Sequence, residues 1–459
     1  MRQLQGDLSA GAWRWLLIVG FVLIAGANLP GHLSTDSVIA LAEGRAGERI
    51  VWGPPMFGAL LGFFDGAVPG TGLYVAFSML MLFGCWASMA RLSPKVSWIA
   101  PVVLAFALIT PQLMIYQAIV WKDVLFANFA VAGFVALAHA ARRWETPAQT
   151  WLPLGLACLC LAMGCLVRQN GAIAVPLAAL ALGAVAWGDG WRRGLAWGAA
   201  AFAAPLLLAA VLDAATPVKE PPGVENMDKG MRLLQAYDIT SAVAADPNRP
   251  LPLQQESDPA ELAVLRREAP RVYSDLRIDT LGDSPALGGA MAQIGDDAFA
   301  AQWRQMILSD PLGYLGRRWA IFSTVAFTPD PGKCLAVHIG VSGPPQFIQQ
   351  LNLVEGAGVE DRQLYNYATW WFGTPVFSHL AYGVLALAVA GFLVWRRRPA
   401  DLAMAGLMLA GLGFAASFLI ISLACDYRYM YFLDLAAITG ALYVALDPSL
   451  RRMVSIRAR

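Results

Sequence analysis

The sequence predicts an all-α polytopic membrane protein of about ten transmembrane helices, with an amphipathic first outer loop and a mainly helical extracytoplasmic insertion. Three observations predict this. The 459 residues are 58% hydrophobic and only 14% charged, with a mean hydropathy of +0.54, more apolar surface than a water-soluble core of that length can hide. About ten apolar runs are long enough to cross about 30 Å of hydrocarbon. Finally, arginine and lysine gather on alternate connections between those runs.

The runs are read at 13–30, 70–90, 97–116, 123–141, 151–167, 171–188, 194–213, 377–395, 402–423 and 429–446. Arg2, Arg91 with Lys95, Arg142 with Arg143, Arg192 with Arg193, Arg396 to Arg398, and Arg451, Arg452, Arg457 and Arg459 then all fall on one side. The positive-inside rule makes that side, and both termini, cytoplasmic. The connections 31–69, 117–122, 168–170, 214–376 and 424–428 face the periplasm or exterior. The expected organisation is an N-terminal transmembrane module (1–213) containing the first outer loop (31–69), an insertion (214–376) and a C-terminal transmembrane module (377–459). The first apolar run lacks a small-residue cleavage site, so no removable signal peptide is read.

Only the insertion is long and polar enough to fold in water. Within it, DPLGYLGRRWAIFSTVAF (Asp310–Phe327) ends in an apolar stretch too short to span, and reads as an amphipathic helix lying at the outer interface. The six cysteines are Cys85, Cys158, Cys160, Cys165, Cys334 and Cys425. Most sit in apolar runs as small packing residues, while Cys334 and Cys425 share the oxidising face, which leaves a bridge between them open. No CxxC or His-rich metal spacing occurs. A net charge of +1 without a basic tail argues against a nucleic-acid partner. No internal repeat supports an inverted-repeat transporter.

Ionisable residues at the ends of spans are costly and need a reason. Four clusters fall at the same predicted outer boundary: Asp36; Lys122 with Asp123; Arg168, Gln169 and Asn170; and Asp426, Arg428, Tyr429 and Tyr431. Each has a plain structural reading. Asp36 suits a helix N-cap, Lys122 and Asp123 suit a snorkelling pair beside a belt tryptophan, Trp121, and Arg168 with Asn170 suits a tight turn closed by Gly171. Arg428 suits an aromatic-belt anchor paired with Asp426. Their coincidence on one face suggests a shared cavity. A carboxylate there can take a proton from an attacking hydroxyl or amine. Lys122, Arg168 and Arg428 can bind a phosphate and stabilise it as it leaves.

The residues in this order resemble a membrane glycosyltransferase of the C fold class, in the group of protein O-mannosyltransferases and lipid A aminoarabinose transferases. The matching pattern is an acid soon after the first span (Asp36), and a first outer loop whose Trp52, Pro54 and Pro55 open an amphipathic helix (Met56–Phe64). An Asp opens the fourth span (Asp123), a basic residue sits between the fifth and sixth (Arg168), and an Arg-Tyr opens a late span (Arg428, Tyr429). The resemblance implies inverting transfer of a sugar from a polyprenyl-phosphate donor to a lipid, glycan or protein acceptor at the outer face, among membrane lipids. Asp36 would be general base, and Lys122, Asp123, Arg168, Asn170, Arg428 and Tyr429 would bind substrate. The family often has two acids together where Asp36 is followed by Ser37, and His or Lys where Gly53 precedes Pro54. No metal ligand is assigned, and a divalent cation stays open. The Pro-Pro helix, with Leu60, Leu61, Phe63 and Phe64 as its greasy face, fits either a lipid-facing entrance or a re-entrant helix packed on neighbours. A transporter or flippase of a lipid-linked glycan would use the same cavity without chemistry. It predicts charged groups deep in spans, or broken helices.

Overall fold

The structure, a computed structural model, describes residues 2–50, 53–216, 218–219, 228–251 and 259–450. Trp52 and the basic residues Arg451, Arg452, Arg457 and Arg459 lie outside the described residues. Among the described residues twenty α-helices are numbered in chain order. The first ten are α1 (Arg2–Asn28), α2 (Thr35–Ala46), α3 (Pro55–Ala67), α4 (Gly72–Met89), α5 (Ile99–Leu108), α6 (Pro111–Met114), α7 (Lys122–Arg142), α8 (Pro147–Val167), α9 (Ala174–Trp187) and α10 (Trp191–Ala215). They continue with α11 (Asp228–Ala245), α12 (Pro259–Val272), α13 (Pro285–Gln293), α14 (Asp296–Ser309), α15 (Pro311–Ala326), α16 (Pro345–Gln350) and α17 (Val359–Thr369). The last three are α18 (His379–Arg396), α19 (Pro399–Ile421) and α20 (Tyr431–Leu446).

Among the described residues eight helices are long and apolar enough to cross a membrane. The chain is an all-α multi-pass membrane protein. The run read at 97–116 is a bent pair, 99–108 and 111–118, with a 66° break. Pro111 opens the second piece, which is where a residue without an N–H costs a helix least. The run at 171–188 forms a shorter apolar helix, Gly171–Trp187.

The chain divides into two compact units. The first comprises Met1–Pro221, Val337–Ala415 and Arg428–Arg459, and the second Pro222–Ala336 with Ala416–Tyr427. The stretch 214–376, read from sequence as one insertion, is thus shared between them.

In the first unit α7 is the central post. Its Val124, Leu125, Phe126, Phe134 and Val135 are all buried, and it packs against α4, α8, α9 and α20. Lipid tails are as apolar as leucine, so these helices associate by close fit and by hydrogen bonds rather than by escape from water. Glycines provide the fit. A Cβ on Gly183 of α9 would sit 3.1 Å from Gly194 O of α10. Hydrogen bonds are supplied by buried amides: Asn128 Nδ2 donates to Gln117 Oε1 (2.9 Å) and Ser78 Oγ (2.9 Å), and Gln117 Nε2 donates to Tyr431 Oη (2.7 Å).

The first outer loop is a helical hairpin, not a loose excursion. Pro54 and Pro55 start α3, and the left-handed Gly47 (φ 65°) ends α2. Arg45 grips Asp65 in a fork, Nε to Oδ2 at 2.8 Å and Nη2 to Oδ1 at 2.7 Å. That bond, with Gly70 N–H donating to the same acid, holds the Asp65 carboxyl below its ordinary range. Gly44 and Gly62 bring the two backbones into contact, where a Cβ on either would overlap the other's main chain. Met56, Phe57 and Leu61 of α3 are buried, while Phe63 stays exposed. Gly62→Val should therefore lower stability by about 1–3 kcal/mol, the cost of overpacking against backbone that cannot turn aside. Thermal unfolding in detergent checks it, and an unshifted midpoint would mean the hairpin can open freely.

In the second unit α11 to α15 enclose a core of Ile239, Val243, Leu262, Leu265, Leu287, Phe299 and Met306. Arg318 is buried against Asp238 (2.5 Å), and the same acid accepts from Trp303 Nε1 at 2.8 Å. Cys334 and Cys425 form a disulfide with Cα atoms 4.8 Å apart. The four other cysteines are free.

Candidate active site

The candidate site is built on helix ends of the first unit. Ser34 stands at the N-cap of α2, its N–H donating to Ser37 Oγ at 3.3 Å. Ser37 Oγ donates in turn to Val120 O (2.5 Å), which ties the start of α2 to the strand-like residues before α7. Capping by serine leaves Asp36, in the first turn, for another task. It accepts from Arg428 Nη1 at 2.6 Å, and its side chain remains 55% exposed.

Trp121 lies against Arg428. The plain structural reading makes it a belt residue, one of the two alternatives for this cluster; the ring is buried. The reason is its polar end, since Nε1 donates to Ser34 Oγ at 2.8 Å and satisfies the one group that would favour the interface. The Arg428 guanidinium carbon lies 4.9 Å from the Trp121 ring and 5.8 Å from the Tyr429 ring. This cation–π contact fixes the fork's plane. His338 lies against Trp121, ring centres 6.2 Å apart, and meets Leu33 O through Nε2 (2.9 Å).

Lys122 is the hub. It feels the charges of Asp36, Arg428, Arg168 and Glu43. Asp123, next in the chain and buried, is ion-paired with Arg168 Nη1. Arg168 closes the turn after α8, with Gly171 N–H donating to its carbonyl at 2.9 Å and its own Nε donating to Asn170 Oδ1 at 2.9 Å. Its guanidinium also rests 5.2 Å from the Phe414 ring. Asp36, Lys122, Asp123, Arg168, Asn170, Arg428 and Tyr429 thus come together, although Asp123 and Arg168 are buried as a pair while Asp36 faces solvent. Asp426 belongs to the second unit, where its backbone pairs with Leu335.

Electrostatics set the resting state. Partial withdrawal from water pushes the Asp36 carboxyl up, but Arg428, Lys122 and His338 outweigh it and hold it below the ordinary 3.8. Burial pushes the His338 imidazole down. Below the site, burial drives His32 down to about 4 against the opposing pull of Asp361. Gly340 N–H donates to His32 Nδ1 (3.1 Å), so Nε2 carries the proton and donates to Asn28 Oδ1 (3.0 Å).

Three participants escaped the sequence reading. Ser37 and His338 carried no signal, since a serine and a lone histidine about 300 residues apart have no shared pattern. Glu43 did carry one: it follows Asp36 by seven residues, two helical turns, which places both on one face of α2. Glu43 is buried and accepts from Ile50 N–H at 2.7 Å. With Arg49, Gly58 and Val218 it lines a cavity of about 180 Å³. Among the described residues no group of three or more His, Cys, Asp or Glu is arranged to hold a metal.

Two further features lie within the spans. His379 Nδ1 and Asp434 Oδ1 meet at 2.8 Å, both buried, and the pair 99–108 and 111–118 is a broken helix. Neither a protein-family model nor a curated protein matches the chain. Among solved structures it is similar to ArnT from Cupriavidus metallidurans bound to undecaprenyl phosphate, at 15% identity, over 94% of this chain and 77% of that one, with a TM-score of 0.38. So remote a likeness leaves the functional reading to the chain's own residues.

Proposed function

We propose that the chain is a membrane glycosyltransferase of the C fold class that moves a sugar from a polyprenyl-phosphate donor onto an acceptor, with inversion, at the outer face of the cytoplasmic membrane. The observation that carries the reading is the convergence of one solvent-facing carboxylate, Asp36, with Lys122 and Arg428 at the ends of spans far apart in sequence. In the resting protein the Asp36 carboxylate takes a hydrogen bond from Arg428 Nη1 that a donor phosphate would compete for. An incoming lipid phosphate competes for Arg428 and Lys122, which releases Asp36 from the charges that hold its basicity down. Asp36 then takes the proton of the acceptor nucleophile as it attacks C1. The C1–O bond to phosphate breaks with its electron pair going to the phosphate oxygen, where the two cations stabilise it.

The side of the membrane is inferred from charge and redox. Basic residues mark the opposite connections, and the Cys334–Cys425 disulfide, on the connection leading into Arg428, suits an oxidising compartment.

Arg428→Gln keeps size and polarity but removes the charge. Losing a charge-assisted contact should weaken binding of a radiolabelled polyprenyl-phosphate by about 10–100-fold. Unchanged affinity would place the phosphate elsewhere. The buried His379–Asp434 pair and the broken helix favour a second reading, a flippase that grips the same donor without cleaving it. Reconstituted vesicles separate the two: a transferase leaves the sugar on an acceptor and releases lipid phosphate, whereas a flippase returns intact donor on the other leaflet.

A further inference from the structure

Helix α15 in the second unit has two unlike faces. Asp310 starts it by accepting from Gly313 N–H at 2.9 Å. Tyr314, Arg318, Ile321 and Val325 recur at helical spacing and are buried. On the opposite side Leu312 is 82% exposed, Leu315 44% and Trp319 51%, and Leu308 at the end of α14 extends the strip at 81%. Contiguous apolar side chains facing water mark a surface made to be covered.

The cover follows from what the buried face holds. Arg318, fixed by Asp238 and flanked by the Tyr237 and Tyr314 rings, donates from Nη1 to Ser422 O at 2.8 Å. Ser422 is the residue after α19, an apolar span of 23 residues that ends at Ile421. A cation there also suits the helix's negative C-terminal end. The disulfide sulfur of Cys425 lies in van der Waals contact nearby, 3.4 Å from Thr324 O. Helix α15 is therefore fastened directly to the residue that follows an apolar span. We propose that α15 is an interfacial helix, with Leu312, Leu315 and Trp319 inserted among the lipids at the end of α19 and Arg318 as the pin that holds it there. Sixteen residues of helix are too few to span but enough to lie flat.

The full-length protein tests this in phosphatidylcholine–phosphatidylglycerol vesicles. With Cys85, Cys158, Cys160 and Cys165 replaced by alanine and the disulfide kept, a bimane fluorophore is placed through Leu312→Cys, or through Arg271→Cys on α12 as control. Lipids carrying a nitroxide near the headgroup should quench the Leu312→Cys probe at least about twofold more than the control, and aqueous iodide should do the reverse. Iodide quenching equal to the control would overturn the proposal, because the strip would then face water. Protection from both quenchers would also overturn it, because protein and not lipid would cover the strip.

Discussion

Asp36→Asn should lower sugar transfer by about 10²–10⁴-fold, the usual contribution of a positioned general base, while donor affinity holds or rises. The amide keeps the shape and still accepts from Arg428, but it cannot take a proton. It also competes less well for the guanidinium than a carboxylate does, so the phosphate meets less resistance. The same argument fixes a pH signature. In the free protein the Asp36 carboxyl lies below 3.8 because Arg428, Lys122 and His338 favour its charged form. Whatever stability that charge contributes is present above the unfolded value and lost only as pH falls through the lower folded value. A bound phosphate draws off the two strongest cations and brings negative charge near, so the carboxyl rises in the complex. The acid limb of kcat, which reports the complex, should thus lie at higher pH than the acid limb of kcat/KM, which reports the free enzyme. In Arg428→Gln the two limbs should approach each other. Full transfer by Asp36→Asn would remove the acid from the chemistry and leave it as a partner for Arg428 alone.

The spans were legible because their signal is long: about twenty apolar residues are hard to mistake, and the charges flanking them repeat the pattern independently. What the pattern hid was geometry inside a run. Ile99–Leu108 and the piece opened by Pro111 form one apolar stretch in sequence, but the proline turns it by 66°. Trp121 misled for a similar reason. Tryptophan at a span's end favours the interface on average, yet here its indole N–H finds Ser34 across 87 residues and the ring goes inside. The meeting of Asp36 with Arg428 rested on a common depth, which topology alone supplies; depth says nothing about the bundle's circumference. The partition of roles among the cations was not legible either. Arg168 and Arg428 are alike as sequence signals, but one is enclosed with Asp123 while the other shares an acid that faces water.

That difference predicts opposite behaviour on substitution. Asp123→Ala should destabilise the protein by about 3–5 kcal/mol, because it leaves the Arg168 guanidinium enclosed without its counter-ion. Arg168→Met should also destabilise it, though by less, by stranding the carboxylate at the start of α7. The double variant, Asp123→Ala with Arg168→Met, should recover much of the loss, because neither charge then has to be withdrawn from water and the methionine can fill space beside Phe414. Unfolding free energies of the four proteins in mixed micelles give the coupling directly, which for a contacting pair runs to about 0.5–3 kcal/mol or more. Lys122 sharpens the test. It feels the charge of Arg168, so Arg168→Met relieves a like-charge repulsion while it exposes Lys122 to an unopposed Asp123. The carboxylate then has a second cation to turn to, and Arg168→Met should be the milder single substitution. If instead both single variants cost under about 1 kcal/mol, the pair is reached by water and adds little to the fold. Arg168 would then be free to reach a phosphate, as the resemblance implies. Donor affinity measured on the same four proteins decides between a bracing pair and a clamp, since a brace moves stability and affinity together and a clamp moves affinity alone.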